Sequence, residues 1–156
     1  MHWTSLANMQ EFKKKYYTGG SVLEVGSQDI NGSYRDMFRG AEYVGLDIEE
    51  GPGVDVVGWD TIAEESFDCV ISWQAFEHIE DDISVMRRIA FCLKKDGACC
   101  IIAPSQGPKH GYPGDYRRYQ PEDFIHLADQ AGLEVIEVKI NGSVPWFDCV
   151  FVGRKN

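Results

Sequence analysis

Apolar side chains recur at helical spacing in three segments of the chain. In residues 3–16 they stand three and four positions apart, which predicts a helix with one buried face. Residues 80–93 repeat this pattern, begin with acidic residues and are followed by Lys94 and Lys95, an arrangement that the helix dipole favours. A third helix is predicted from Pro121, a residue suited to the first turn, to Ala131, and Gly132 ends it.

Short apolar runs without a helical period lie between these helices, which is typical of strands covered on both faces. The predicted strands are 22–25, 43–48, 54–59, 67–73 and 98–103. Two further runs, 133–140 and 144–152, flank Asn141-Gly142-Ser143 and predict an antiparallel hairpin. The order predicts an α/β fold with three α/β/α layers around a doubly wound, mostly parallel seven-stranded sheet that ends in this C-terminal hairpin.

The length and the charge of the chain narrow the class of protein. Its 156 residues favour a single domain, residues 1–156, because domains usually have roughly 100–200 residues. The net charge of -10 makes nucleic acid a poor partner, since binding a phosphate backbone needs a basic surface. No apolar run approaches the roughly 18 residues of a membrane span and no secretion signal is recognisable, so we expect no membrane partner and a cytoplasmic location.

The cysteines give no sign of a disulfide scaffold or a metal site. They number five, an odd count, and most of them lie inside apolar runs. None stands in a Cys-x-x-Cys pair or has a histidine at ligand spacing. We therefore expect buried, inert thiols and no bound metal.

Candidate chemistry lies where the predicted strands end, because doubly wound sheets bind ligands at the carboxyl ends of their strands. The first strand ends in Gly26, which lets a ligand approach the backbone. About twenty residues further on, the second strand ends in Asp47, where nucleotide-binding folds hold a carboxylate against ribose hydroxyls. The alternative interpretation is a solvated acidic turn, since Glu49 and Glu50 follow.

Four segments together resemble the class I, seven-stranded S-adenosylmethionine-dependent methyltransferases, and in particular the small-molecule and sugar-tailoring (type 11-like) group. In the family's order they are VLEVGSQDINGS, YVGLDIEEGPGVDVV, FDCVISWQAFEHIED and LKKDGACCIIAPS. The resemblance extends over essentially the whole chain. It implies S-adenosylmethionine as the cofactor and methyl transfer to an oxygen or nitrogen atom of a small acceptor as the activity.

The resemblance also implies which residues bind the cofactor. Glu24 and Gly26 match the acidic residue and the first glycine of the family's E/D-x-G-x-G-x-G turn, which faces the methionine part of the cofactor. Ser27 and Asp29 belong to the same turn and are further candidate contacts. The turn departs from the family at Gln28, which replaces the second glycine, so we expect it to have a different shape.

The other implied cofactor contacts follow the next strands. Asp47 matches the ribose carboxylate, and Ile48 matches the apolar neighbour of the adenine. Trp59 or Asp60 falls where the family contacts the adenine amine. The pair Trp73–Gln74 falls where the fourth strand opens toward the cofactor.

One catalytic residue and a substrate segment complete the predicted site. His78 follows the fourth strand and is a candidate base near neutral pH, although it could also only pack at a helix start. The segment 104–120 is a long loop, and loops of that length in compact domains are usually functional. Its arginines can bind phosphate or carboxylate in a fork, or else pair with the acidic surface. The candidate substrate residues are His110, Tyr112, Tyr116, Arg117 and Arg118.

The residues leave the acceptor and two other functions open. The arginines and tyrosines of the loop favour a sugar-like or anionic acceptor. Base-modifying enzymes of this class often carry Asn/Asp-Pro-Pro-aromatic where this chain has Ser72-Trp73-Gln74-Ala75, which argues against a DNA base. A non-catalytic S-adenosylmethionine-binding protein and a nucleotide or dinucleotide enzyme of similar topology are the alternatives. A homodimer also stays open, since a second subunit could close the pocket.

Overall fold

The computed structural model describes residues 3–30, 32–109 and 114–156. In chain order its elements are α1 (Trp3–Tyr16), β1 (Val22–Val25), a first 3-10 helix (Arg35–Phe38), β2 (Tyr43–Asp47), β3 (Val56–Val57), β4 (Phe67–Trp73), a second 3-10 helix (Phe76–His78), α2 (Asp82–Cys92), β5 (Leu93–Pro104), α3 (Pro121–Ala131), β6 (Glu134–Ile140) and β7 (Asp148–Arg154).

The strands form a seven-stranded sheet in the order β3-β2-β1-β4-β5-β7-β6. The strands from β3 to β5 are parallel, and β7 runs antiparallel between β5 and β6. This confirms the predicted doubly wound α/β sheet with a C-terminal antiparallel pair. The winding changes direction between β1 and β4, so the carboxyl ends of these two strands flank the position where such sheets bind ligands.

Side chains that alternate along the strands supply two hydrophobic layers. Leu23 and Val25 of β1 belong to the core on one face, which includes residues of α2 and α3. Val22 belongs to the core on the other face, with residues of α1 and of the first 3-10 helix. Both faces of the sheet are therefore covered, which explains why β1 shows a continuous apolar run except at Glu24.

The cysteines are buried inside these layers. All five are free thiols. Burial raises the pKa of each thiol above its ordinary value, which keeps them neutral. The five residues are Cys69, Cys92, Cys99, Cys100 and Cys149.

Several predicted boundaries were wrong. Strand β3 has only two residues, Val56–Val57, and α2 begins at Asp82 because the side chain of Asp81 caps it through the amide of Ser84. Leu93 belongs to β5 and not to the preceding helix. The last strand begins at Asp148, four residues later than predicted, because the chain between β6 and β7 turns through residues 141–147, which include a proline that cannot donate to a ladder.

None of the helices in the described part of the chain combines the length and the apolar character that a membrane crossing requires.

Candidate active site

The carboxyl ends of β1 and β2 meet in a tightly bonded turn. The amides of Gly26 and Ser27 both donate to the carbonyl of Leu46, at 2.9 and 3.1 Å. The amide of Asp29 donates to the carbonyl of Pro52 at 2.7 Å. The predicted cofactor turn therefore rests on β2 and on the loop that follows it.

Gly26 has a conformation and a neighbour that exclude a side chain. Its φ is +78°, and a Cβ atom built on it would lie 2.5 Å from the Cβ of Ala75. Ala75 follows β4, so the end of β4 packs directly against the bare backbone of Gly26. This close approach requires a glycine at the end of β1.

We expect Gly26→Ala to destabilise the fold and to abolish this close approach. The positive φ costs about 1–2 kcal/mol for a residue with a Cβ, and the contact with Ala75 adds about 1–3 kcal/mol of overpacking. Gly40→Ala is the matched control, because Gly40 has φ +94° and nothing within 4 Å of an added Cβ. Thermal unfolding of both variants measures the difference, and equal losses of stability would contradict the steric argument.

Asp47 is the residue that the turn orients most directly. Its Oδ2 accepts a hydrogen bond from the amide of Gln28 at 3.0 Å, and its Oδ1 accepts one from the amide of Ile48 at 2.7 Å. Each carboxylate oxygen can accept a further hydrogen bond, because it has two lone pairs. Asp47 can thus bind two hydroxyl groups without losing the contacts that orient it.

Gln28 shows how the turn accommodates the departure from the family pattern. Its φ is not positive, so this position does not need a glycine. Its side chain lies over Gly51, where an added Cβ would be 2.5 Å from the Gln28 Nε2. The Gln28 side chain thus packs on the facing loop at Gly51.

Ser27 and Asp29 make local contacts in the structure. The buried Oγ of Ser27 has no hydrogen-bond partner within the described part of the chain, and a Cβ on Gly45 of β2 would lie 2.7 Å from it. The Oδ1 of Asp29 accepts from the amide of Gly32 at 2.9 Å. Asp29 is exposed and lines a cleft of about 400 Å³ that Arg35 and Asp55 also line. Cofactor contacts of Ser27 and Asp29 stay predictions.

Glu24 is a buried carboxyl group below the same turn. It is 2% exposed, and the hydroxyl of Tyr43 donates to its Oε1 at 2.6 Å. Burial raises the pKa of Glu24 to about 7, although the Tyr43 hydrogen bond and the charge of Arg35 oppose this shift. Arg35 itself pairs with Asp55 at 2.6 Å. Among the residues that the structure describes, Glu24 therefore has no direct ion-pair partner, and a bound cation would stabilise its charged form.

The predicted adenine side is formed by residues after β2 and β3. Ile48 is 79% exposed, although it is a large apolar residue. Trp59 is half-buried and packs against the core, whereas Asp60 is exposed. The amide of Gly58 donates to the carbonyl of Asp47 at 2.9 Å, which holds the Trp59 segment beside the end of β2.

The two residues at the end of β4 face different neighbours. The ring of Trp73 contacts that of Tyr34, with centroids 4.8 Å apart. Gln74 has φ +49°, and its side-chain amide donates to Asp148 Oδ1 at 2.8 Å and to Ser5 Oγ at 3.3 Å. Sequence reasoning missed Ser5 and Asp148; the only available signal was an acidic residue at the start of an apolar run.

His78 has a defined tautomer. Its Nδ1 is hydrogen-bonded to the carbonyl oxygen of Gly114, which can only accept, so Nδ1 carries the proton. The basic nitrogen of the neutral ring is then Nε2, which lies 3.9 Å from Glu77 Oε2.

Glu77 is a third residue that the sequence did not single out. It is 4% exposed, and its Oε1 has no hydrogen-bond partner among the described residues. Burial raises the pKa of Glu77 to about 7. The segment after β4 therefore carries a buried carboxyl group next to the candidate base.

The predicted substrate loop is bonded back to the segment after β4. Arg117 donates to the carbonyls of Ile79 and Glu80, at 3.1 and 3.0 Å, and pairs with Asp82 at 2.7 Å. The side chain of Tyr116 is 45% exposed. His110 and Tyr112 lie outside the described residues.

Arg118 forms a two-pronged ion pair within the same loop. Its Nη1 and Nη2 contact the two carboxylate oxygens of Asp115 at 2.5 and 2.9 Å. It also donates to the carbonyls of Gly107 and Pro108 and lies over the ring of Trp146, 5.9 Å from the centroid. Both arginines thus have partners inside the protein, and binding of an anionic acceptor by them stays a prediction.

We expect Arg118→Ala to cost about 3–5 kcal/mol of stability, because it removes the two-pronged ion pair from a buried carboxylate. The side chain of Asp115 is only 1% exposed. Arg39→Ala is the matched control, since that side chain is 82% exposed and 3.5 Å from an equally exposed Asp36. Denaturant unfolding measures both variants. Unchanged stability of Arg118→Ala would contradict a structural role and favour acceptor binding.

Within the described ranges no group of three or more histidine, cysteine, aspartate or glutamate side chains could hold a metal ion.

The chain matches a known protein family over most of its length. The family model described as "Methyltransferase domain" matches residues 6–138. No protein with a curated description matches the chain significantly.

Solved structures with the same fold include enzymes of more than one kind. The 1,6-didemethyltoxoflavin-N1-methyltransferase of Burkholderia thailandensis, solved with 1,6-didemethyltoxoflavin and S-adenosylhomocysteine, has a TM-score of 0.75 and 18% identity over 99% of this chain and 80% of that chain. A possible histamine N-methyltransferase of Thermotoga maritima has a TM-score of 0.72 and 17% identity, over 99% and 90% of the chains. The [4+2]-cyclase SpnF has a TM-score of 0.75 and 14% identity, over 99% and 83%.

These structural likenesses agree with the seven-stranded sheet, and the family match agrees with the resemblance of the four segments. The chain belongs to the methyltransferase domain family, in the class I group whose cofactor is S-adenosylmethionine.

Proposed function

We propose that the chain holds S-adenosylmethionine at the carboxyl ends of β1, β2 and β4 and moves its methyl group to an oxygen or nitrogen atom of a small acceptor. One observation carries the proposal: two backbone amides hold the Asp47 carboxylate where β1 and β2 end. A carboxylate in this state can accept hydrogen bonds from two neighbouring hydroxyls, as on a ribose.

The residues around Asp47 fit the other parts of the cofactor. Glu24 supplies a buried carboxyl group for the ammonium of the methionine part, and Gly26, held against Ala75, follows it in the same turn. The exposed apolar side chain of Ile48 suits a face of the adenine ring. The Trp59–Asp60 segment suits the amine of the adenine. The proposed site thus offers one partner each for the ammonium, the ribose hydroxyls and the adenine amine of the cofactor.

When bound, S-adenosylmethionine supplies an electrophilic methyl group on a sulfonium. The contribution of the chain is to orient the acceptor for in-line attack and to exclude water, because positioning supplies most of the catalysis in such a reaction. Where the acceptor must lose a proton, Nε2 of His78 takes it, since Nδ1 is fixed by the Gly114 carbonyl.

The acceptor is proposed to be a small molecule. Tyr116 offers an exposed ring and hydroxyl for a sugar or another ring. The internal ion pairs of Arg117 and Arg118 weaken the case for an anionic group on the acceptor. The Burkholderia relative, which is an N1-methyltransferase by name, supports a ring nitrogen as one candidate.

A cofactor-binding protein without methyl transfer is the second candidate. A [4+2]-cyclase shares this fold, so the fold alone does not imply methyl transfer. A panel of small phenols, amines and phosphorylated sugars, with S-adenosylhomocysteine as the measured product, distinguishes the two functions. Product that depends on an acceptor supports the enzyme, whereas binding without any product supports the second candidate.

Calorimetric titration with S-adenosylmethionine, S-adenosylhomocysteine and NAD tests the proposal. We expect dissociation constants on the order of micromolar for the first two ligands, which correspond to a binding free energy of about 8 kcal/mol. We expect no binding heat with NAD. Binding of NAD in preference to both sulfur ligands would contradict the proposal and favour a dinucleotide enzyme.

A further inference from the structure

Three polar side chains from distant parts of the chain meet beneath the carboxyl edge of the sheet. Ser5 lies in the first turns of α1, Gln74 directly follows β4 and Asp148 begins β7. The Oγ of Ser5 donates to Asp148 Oδ2 at 2.8 Å, and the Gln74 amide donates to Asp148 Oδ1 at 2.8 Å. Ser5 and Asp148 are both 0% exposed. The carboxylate of Asp148 thus joins α1 to the end of β4.

Gln74 needs such a restraint, because its backbone is in an unfavourable conformation. Its φ of +49° lies in the left-handed region, which residues with a Cβ rarely adopt. Conformations of this kind persist where the surroundings hold them and are common at functional sites. Here the amide nitrogen of Gln74 donates to the carbonyl of Ile102 at 2.8 Å, and the side chain is held by Asp148.

The residue that follows Gln74 packs against the cofactor turn. Ala75, the next residue, has its Cβ 2.5 Å from the position that a Cβ on Gly26 would occupy. A change in the backbone of Gln74 would therefore move Ala75 relative to Gly26. The conformation of Gln74 therefore sets the position of Ala75, which faces the end of β1.

Anchoring of β7 alone does not explain why Asp148 is an aspartate. The strand is already paired with β5 from Pro104 to Ala98, and the carbonyl of Asp148 accepts from the amide of Asn141 at 2.8 Å. A fully buried carboxylate is costly unless its hydrogen bonds give something in return. Two of its side-chain bonds go to Ser5 and Gln74, at the site.

We propose that Asp148 is a positioning residue of the methyl-transfer site, which fixes the turn at Gln74–Ala75 against Gly26 and fixes the first turns of α1 beside it. This inference rests on the proposed function. Asp148 acts through Gln74 and does not itself touch the cofactor. It follows that the affinity for the cofactor depends on a side chain at the other end of the chain.

The test compares variants that differ in how they hold the turn, with S-adenosylhomocysteine as the probe and calorimetry below the unfolding temperature of each protein. Asp148→Ala removes both bonds, and we expect about tenfold weaker binding. Asp148→Asn keeps an acceptor for Gln74 and a donor for Ser5, so we expect it to bind more tightly than Asp148→Ala. An effect on thermal stability alone, with equal affinities, would overturn the positioning role.

Gln74 gives a second comparison that stands even if Asp148→Ala does not fold. Gln74→Ala loses the held amide but keeps the strained backbone, whereas glycine adopts a positive φ freely. We therefore expect Gln74→Gly to bind S-adenosylhomocysteine at least about fivefold more tightly than Gln74→Ala. Equal affinities would overturn the positioning role. Wild-type protein that does not bind the probe would instead overturn the proposed function.

Discussion

Asp47→Ala is expected to weaken the binding of S-adenosylhomocysteine by about a hundredfold or more. Two hydrogen bonds to a charged group are worth about 1.5–3 kcal/mol each, and each 1.4 kcal/mol corresponds to about tenfold in affinity. The variant also removes the acceptor of the Gln28 amide, which lies 3.0 Å from Asp47 Oδ2, so the cofactor turn loses a restraint as well. Calorimetry at constant pH and ionic strength measures the loss.

Glu49→Ala is the matched control for this experiment. It removes the same charge from the same turn, but Glu49 is exposed. We expect its affinity to stay within about twofold of the wild type, since exposed charges contribute little. Equal losses in the two variants would contradict the role of Asp47 and would favour the interpretation of residues 47–50 as a solvated acidic turn.

The element order could be predicted because both faces of the sheet are covered. Strands such as Phe67–Trp73 then read as nearly uninterrupted apolar runs, and the helices between them show a separate period. The position of the site followed from the same reasoning, since Gly26 and Asp47 end neighbouring parallel strands. Because the carboxyl ends of neighbouring parallel strands lie at the same edge of the sheet, the two residues could be placed close together without knowing any side-chain contact.

The partners of the buried polar groups could not be predicted in this way. Ser5, Gln74 and Asp148 come together only in the folded chain, and no local pattern connects them. The arginine pair presents the same difficulty, because the loop sequence shows two cations but not that Asp82 binds Arg117. The spacing of Asp115 and Arg118 was a local signal for their ion pair, although their burial was not.

Glu24→Gln is expected to stabilise the protein without cofactor above pH 7 and to weaken cofactor binding. In the wild type, burial raises the pKa of Glu24 from 4.5 to about 7. The folded state therefore binds this proton more tightly than the unfolded state. The contribution of the bound proton to the free energy of unfolding is complete below pH 4.5 and is lost as the pH rises to about 7. Glutamine has no proton to lose and can still accept the hydrogen bond from Tyr43.

The size of this effect follows from linkage between protonation and folding. One unit of pKa corresponds to about 1.4 kcal/mol. Glu24 therefore lowers the free energy of unfolding by an amount on the order of 3 kcal/mol as the pH rises from 4.5 to about 7. Urea unfolding at pH 5, 6, 7 and 8 measures the slope in the wild type and in the variant. Glu77→Gln is the control, because the pKa of Glu77 is also raised to about 7 by burial, and it should flatten the profile by a similar amount.

Binding of S-adenosylhomocysteine separates Glu24 from Glu77. If the ammonium of the ligand lies against Glu24, it favours the charged carboxylate, and binding at pH 6 releases a proton from the wild type. Titrations in two buffers with different ionisation enthalpies detect this proton. We expect Glu24→Gln to abolish the release and to bind about tenfold more weakly, whereas Glu77→Gln retains the release. Proton release that persists in Glu24→Gln would show that the ammonium does not lie against Glu24. The presence of a buried carboxyl group at position 24, which lowers stability at neutral pH, would then need another explanation.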